Sequence, residues 1–253
     1  MKTNIKKALQ FTVILLPVAI MASYFVAIYA FNNHAVEIQE QILEQMGSYQ
    51  LFLLLSTIQG AILASVCAFF GYILAEKTGL LRTFRFEREK SVKTLIITLV
   101  GGIIFSLDYW IFGAFIPEIR EMASEGLTFV AFTAAVLYGG IIEEILFRWF
   151  FISLLVFIFW KLFFKKMAKE QIPVGIFIVA NALSAFLFAA GHLPATIGFF
   201  GELTPMLVFR CFLLNGAFGY CFGWLYHKYG IQYAMTAHAG FHIVSKVIWL
   251  IFI

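Results

Sequence analysis

The sequence has few charged residues. Asp, Glu, Lys and Arg make up 13% of its 253 residues, against about 25% in a typical soluble domain, and 62% of the residues are hydrophobic. This composition excludes an ordinary water-soluble domain and indicates that a lipid bilayer surrounds most of the chain. We expect membrane lipid as a partner and no nucleic acid.

Cysteine is also scarce, and no repeat is present. Cys67, Cys211 and Cys221 lie in apolar runs, are odd in number and have no CxxC spacing. This pattern excludes a disulfide framework and a zinc site built on thiolates. The sequence also shows no internal repeat, no low-complexity tract and no evident cleavable signal. We therefore expect one polytopic membrane domain.

Long apolar runs predict an all-α fold, a polytopic transmembrane helix bundle of about seven spans. The spans cover residues 8–31, 49–75, 94–115, 127–160, 172–192, 206–226 and 231–252, and the connector 32–48 favours a short interfacial helix. The fourth run exceeds the ~20 residues that one crossing needs. Gly139 and Gly140 could break it into a half-helix at 127–138 and a full helix at 141–160. Alternatively, its first part is an eighth span.

Basic residues follow the expected alternation. The amino-terminal tail and the connectors after spans two, four and six hold three, six, four and one Lys or Arg, whereas the alternate connectors hold none, one and none. The positive-inside rule then places the amino terminus in the cytoplasm and the carboxyl terminus outside. Lys246, near the far end of span seven, is an exception that we expect to snorkel to the interface.

Three charged residues interrupt the fourth apolar run. Glu143, Glu144 and Arg148 lie within six residues, and each charge in hydrocarbon costs at least ~2.5 kcal/mol unless it faces protein or water. On a helix Glu144 and Arg148 are spaced i, i+4 and can pair. Glu143 is rotated by about 100° and keeps a free carboxylate. The cluster is therefore a candidate functional centre.

Three histidines are the candidate partners of this cluster. His192 ends span five, and His238 and His242 share one face of span seven at i, i+4. Each group alone has an ordinary explanation, such as a hydrogen bond between helices. An acid pair together with three histidines indicates a hydrolytic centre instead. Asp108 and Arg210 are isolated, and they either pair with each other or support the site.

The motifs resemble a known family. EExxxR (Glu143, Glu144, Arg148), FxxxH (Phe188, His192) and HxxxH (His238, His242) occur in the order found in the CPBP intramembrane proteases, which include the type II CAAX prenyl endopeptidases and the bacterial Abi proteins. The resemblance covers 127–253, a CPBP-like catalytic core, and leaves 1–126 as amino-terminal spans one to three. The family usually has Asn or another small polar residue where this chain has His242.

The resemblance implies an intramembrane endopeptidase without a cofactor. Its catalytic residues would be Glu143, Glu144, His192, His238 and His242, supported by Arg148. Glu143, helped by His192, would activate water; His238 and His242 would donate to the oxyanion; and Arg148 would pair with Glu144. The substrate would be a membrane-associated peptide, such as a prenylated CAAX-type protein. A multi-pass protein of this compact size suggests a prokaryotic plasma membrane.

Two other functions stay open from the residues alone. His192, His238 and His242 could bind zinc in an intramembrane metalloprotease, although HxxxH lacks the glutamate that HExxH places between its two ligands. Intramembrane Glu and His also form proton relays, so a non-enzymatic proton-coupled transporter or a scaffold is the other hypothesis. The absence of a two-fold repeat argues against a transporter. The charge pattern also places the site's mouth outside the cell, whereas a cytosolic prenylated substrate needs the opposite orientation.

Overall fold

All regular structure in the described residues is helical. A computed structural model describes residues 2–125 and 127–253, so the predicted domain boundary at 126 falls on a residue outside these ranges. The helices are α1 (Lys2–Asn32), α2 (Val36–Met46), α3 (Tyr49–Thr78), α4 (Arg88–Ser106), α5 (Asp108–Ile111), α6 (Glu118–Glu125), α7 (129–163), α8 (Val174–Gly191), α9 (Leu193–Phe200), α10 (Pro205–Tyr229) and α11 (Ile231–Phe252). A 3-10 turn, Lys169–Gln171, precedes α8.

Six helical stretches are long and apolar enough to cross a membrane. They are Asn4–Asn32, Tyr49–Thr78, Arg88–Ile111, Val174–Phe200, Pro205–Tyr229 and Ile231–Phe252. Helix α7 is a further long apolar helix, and it carries the three intramembrane charges. The prediction of a polytopic bundle with about seven spans is therefore confirmed. Helix α2 forms in the connector where a short helix was predicted, and it buries none of its residues.

Helix α7 does not break at its glycine pair. It is α-helical at Phe129–Thr133 and Ser153–Phe163, and the segments Ala134–Glu143 and Ile145–Ile152 between them are π-helical. The half-helix ending at 138 is therefore absent. A Cβ at Gly140 would lie 2.5 Å from Cβ of Ala239, so this glycine lets α11 approach closely. Wider π turns are often found at functional sites.

Small residues set the packing around α7, which contacts α1, α3, α8, α10 and α11. Trp149 of α7 lies against Gly71 of α3, and its indole Nε1 donates to the carbonyl oxygen of Ala68 at 3.1 Å. Gly219 and Gly223 of α10 give the same kind of close approach to α8. In lipid, where apolar burial gives no advantage between helices, such contacts drive association.

The two ends of the bundle differ in charge. The connector between α3 and α4 is tied to the start of α11, because Gln232 donates to the carbonyl oxygen of Thr83 at 3.1 Å and the Tyr233 hydroxyl accepts from Glu87 N at 2.7 Å. This end carries the basic connectors. The opposite end carries α5, α6 and α9, where Arg120 is the one basic residue in the connectors.

Candidate active site

A cavity of about 340 Å³ opens among the helices that carry the three motifs. Its wall is mainly apolar and includes residues of α6 and α9, so it approaches the end of the bundle opposite to the basic connectors. Four of the five predicted catalytic side chains line it: Glu143, His192, His238 and His242. The convergence of these residues from α7, α8 and α11 on one cavity makes it the candidate active site.

Glu143 and His192 face each other across the cavity. Oε1 of Glu143 lies 3.8 Å from Nε2 of His192, and their side chains are 17% and 32% exposed. Nδ1 of His192 lies 2.7 Å from the carbonyl oxygen of Phe188, which can only accept a hydrogen bond. Nδ1 therefore carries a proton, and Nε2 is a hydrogen-bond acceptor when the ring is neutral. Two acceptors at this separation can each bind one hydrogen of the same water molecule.

Glu144 lies behind the cavity and is fully buried. Its Oε1 lies 3.0 Å from Nη1 of Arg148 and accepts a hydrogen bond of 2.9 Å from Nδ1 of His238. Arg148 is also fully buried and donates from Nη2 to the carbonyl oxygen of Gly219 at 2.9 Å. Its guanidinium lies 4.4 Å from the ring centre of Phe188. The i, i+4 pairing predicted for Glu144 and Arg148 is present. The same carboxylate also binds His238.

His238 and His242 stack with their ring centres 5.1 Å apart, and His238 also stacks on Phe222 at 4.4 Å. Their Nε2 atoms approach one point beside Gly139: a Cβ there would lie 3.0 Å from Nε2 of His242 and 3.8 Å from Nε2 of His238. Glycine leaves this point open to the cavity. Because Nδ1 of His238 donates to Glu144, its Nε2 can donate only when the ring is an imidazolium.

Asp108 of α5 and Arg210 of α10 form a bidentate ion pair. Nε and Nη2 of Arg210 donate to the two carboxylate oxygens of Asp108 at 2.7 and 2.5 Å. Both residues line the same cavity. Of the two roles that the sequence left open, the structure therefore shows pairing, in the wall of the candidate site.

Two features of the cavity were not found from the sequence as parts of the site. The first is Gly139, which was considered only as a helix breaker. The second is Lys246, which was expected at the membrane interface but lines the cavity. Lys246 follows His242 by four residues. The i, i+4 spacing that placed His238 and His242 on one helix face could therefore have placed Lys246 beside them. In the described ranges, no three His, Cys, Asp or Glu side chains form a group that could hold a metal ion.

Residues 125–244 match a family model, the type II CAAX prenyl endopeptidase Rce1-like model. The match spans every motif residue from Glu143 to His242. Over these residues, the chain is similar to the Rce1-like family. The family resemblance predicted from the three motifs is confirmed. Searches of curated proteins and of solved structures gave no significant match.

The match to the Rce1-like model indicates the general activity. The protein is an integral membrane hydrolase of the CAAX-type intramembrane endopeptidase class, and its substrate is a membrane-associated peptide. The matched region begins just before α7 and ends within α11, so it contains the parts of these helices that carry the motif residues.

Proposed function

We propose that the protein hydrolyses a peptide bond of a membrane-associated substrate with a water molecule activated by Glu143. The observation that supports this most is the 3.8 Å approach of Glu143 Oε1 to Nε2 of His192 within a largely apolar cavity. A general base must lie within hydrogen-bond reach of the proton that it removes. A water held between these two acceptors meets this requirement.

The chemical steps follow from these positions. Glu143 accepts a proton from the water as the water oxygen attacks the carbonyl carbon of the scissile amide. The carbonyl oxygen becomes an oxyanion, which accepts hydrogen bonds from Nε2 of His238 and His242 beside Gly139. Glu143 then gives its proton to the amide nitrogen, the C–N bond breaks, and a carboxylic acid and an amine leave.

Glu144 acts as a positioning residue in this proposal. It does not line the cavity, and its carboxylate lies against Arg148 and His238 instead. The carboxylate orients the His238 ring and accompanies the imidazolium form, in which Nε2 is a donor. Arg148 lies against the same carboxylate and holds α7 against α10 through the carbonyl oxygen of Gly219.

The cavity wall favours an apolar substrate. Most of the side chains around Glu143 and His192 are hydrophobic or aromatic, among them Phe188, Phe218 and Phe222. A prenylated peptide of the CAAX type, or another lipid-anchored peptide, fits such a wall because its hydrocarbon need not leave an apolar medium. We propose this substrate class, reached from the bilayer.

The test is peptide cleavage by purified protein in lipid vesicles, with a farnesylated peptide that carries a fluorophore and a quencher. The Glu143→Gln variant should lose at least about 10²-fold in rate, whereas Glu37→Gln, an exposed control on α2, should match wild type. Full cleavage by Glu143→Gln would remove Glu143 from the mechanism. Loss of wild-type cleavage in a chelator, restored by zinc, would instead support the zinc ligands His192, His238 and His242.

A further inference from the structure

Lys246 brings an ammonium group to the cavity wall. It lies on α11 four residues after His242 and eight after His238, so the three side chains share one helix face. Its Nζ lies 5.5 Å from the ring centre of Trp249. Trp249 is buried, lines the same cavity and donates from Nε1 to the carbonyl oxygen of Ser106 at 2.9 Å. The indole therefore holds the ammonium on the cavity side of α11.

Among the described lining residues, the cavity offers Lys246 no negative partner. The described wall contains two carboxylates. Asp108 accepts hydrogen bonds from Nε and Nη2 of Arg210, and Glu143 faces His192. Among residues 4–124 and 127–253, whose side chains the structure describes, no carboxylate oxygen lies within 4.0 Å of Nζ of Lys246. A cation–π contact compensates only part of the cost of a charge within the bilayer. An anion that enters with the substrate would supply the missing partner.

The spacing along α11 limits where that anion sits in the substrate. Lys246 lies about 6 Å from His242 and about 12 Å from His238 along the helix axis, at 1.5 Å per residue. An extended peptide advances about 3.3–3.6 Å per residue. A substrate anion bound at Nζ of Lys246 therefore lies two to four residues along the peptide from a substrate carbonyl group bound beside Gly139.

We propose that Lys246 binds the α-carboxylate at the carboxyl terminus of the substrate, a few residues beyond the scissile bond. This inference rests on the proposed function and adds a specificity residue to it. The ammonium would select chains that end near the cleaved bond over chains that continue through the cavity. It touches the leaving peptide and not the reacting atoms, so its loss should act on KM more than on kcat.

The experiment compares one farnesylated peptide as the free acid and as the carboxyl-terminal amide, in vesicles of phosphatidylcholine. Wild type should have a KM about 10–100-fold lower for the acid, as expected for a hydrogen bond between charged groups. Lys246→Met should raise the KM for the acid to that for the amide, with kcat within about threefold. Lys246→Arg should keep the preference for the acid.

Matched controls make each outcome decisive. Lys161 lies over the ring of Trp160 at 3.6 Å but does not line the cavity, so Lys161→Met should keep the wild-type preference for the acid. An equal KM for acid and amide in wild type would overturn the proposal, as would an undiminished preference in Lys246→Met. If a carboxyl-terminal amide peptide that ends in Asp is cleaved as efficiently as the free acid, the ammonium binds a side-chain carboxylate. The assignment of the α-carboxylate would then be wrong.

A binding measurement separates this inference from the proposed function. Fluorescence anisotropy with the Glu143→Gln protein reports affinity without cleavage, and the acid should bind about 10–100-fold more tightly than the amide. Adding Lys246→Met to that protein should abolish the difference. Absence of cleavage by wild type together with a Lys246-dependent preference in binding would contradict the proposed function and leave the carboxylate site intact.

Discussion

Glu144 on α7 and His238 on α11 are joined by a hydrogen bond of 2.9 Å between Oε1 and Nδ1, with Glu144 fully buried and Arg148 on the same oxygen. Removing the charge of Glu144 should leave Arg148 as an uncompensated buried cation, at a cost of about 3–5 kcal/mol. Glu144→Gln should therefore unfold at a clearly lower temperature in detergent than wild type. Adding Arg148→Met to this variant should recover part of the loss but not the peptidase activity. Wild-type stability of Glu144→Gln would show that the ion pair is not needed.

Gly139 should matter for activity more than for stability. A Cβ at this position would lie 3.0 Å from Nε2 of His242, a contact that the imidazole can relieve by a small shift. Gly139→Ala should therefore reduce kcat about tenfold or more, as expected from displacement of an oxyanion donor, with little change in the melting temperature. Gly175→Ala, where a Cβ meets nothing within 4 Å, is the matched control and should behave as wild type. An active Gly139→Ala enzyme would place the oxyanion elsewhere.

Variants of His242 test the departure from the usual family motif, which has Asn or another small polar residue at this position. An Asn amide can donate a hydrogen bond from a similar position, so His242→Asn should keep activity within about tenfold of wild type. His242→Ala removes the donor and should lose about 10²–10³-fold in kcat. Steady-state kinetics with the fluorogenic peptide measure both variants. Equal and severe losses in the two variants would indicate that His242 acts through its imidazole ring and not simply as a donor.

The motif residues could be found from the sequence because helix periodicity places i and i+4 on one face. This accounts for the Glu144–Arg148 pair and for the stacking of His238 on His242. Periodicity does not fix the rotation of one span against another, so the sequence raised pairing of Asp108 with Arg210 but could not decide between pairing and support of the site. The glycine pair in α7 was misread because local propensity favours a helix end, whereas close contact with α11 keeps the helix continuous.

The orientation of the cavity is a prediction of the charge pattern. The cavity approaches the end with α6 and α9, and the basic connectors lie at the other end, so we expect the site to open outside the cytoplasm. In a background without native cysteines, Glu202→Cys should react with a membrane-impermeant thiol reagent in intact cells, and Lys166→Cys only after permeabilisation. The reverse pattern would place the mouth in the cytoplasm, where cytosolic prenylated substrates could reach it.

The central claim is that Glu143 and His192 act on one water molecule, and a double-mutant cycle tests it most directly. Single-turnover cleavage is measured for wild type, Glu143→Gln, His192→Gln and the double variant in the same vesicles. Because residues that act as a unit are not additive, the double variant should be no more than about threefold slower than Glu143→Gln alone. Rate losses that multiply in the double variant would contradict a shared water and assign the two side chains to separate steps.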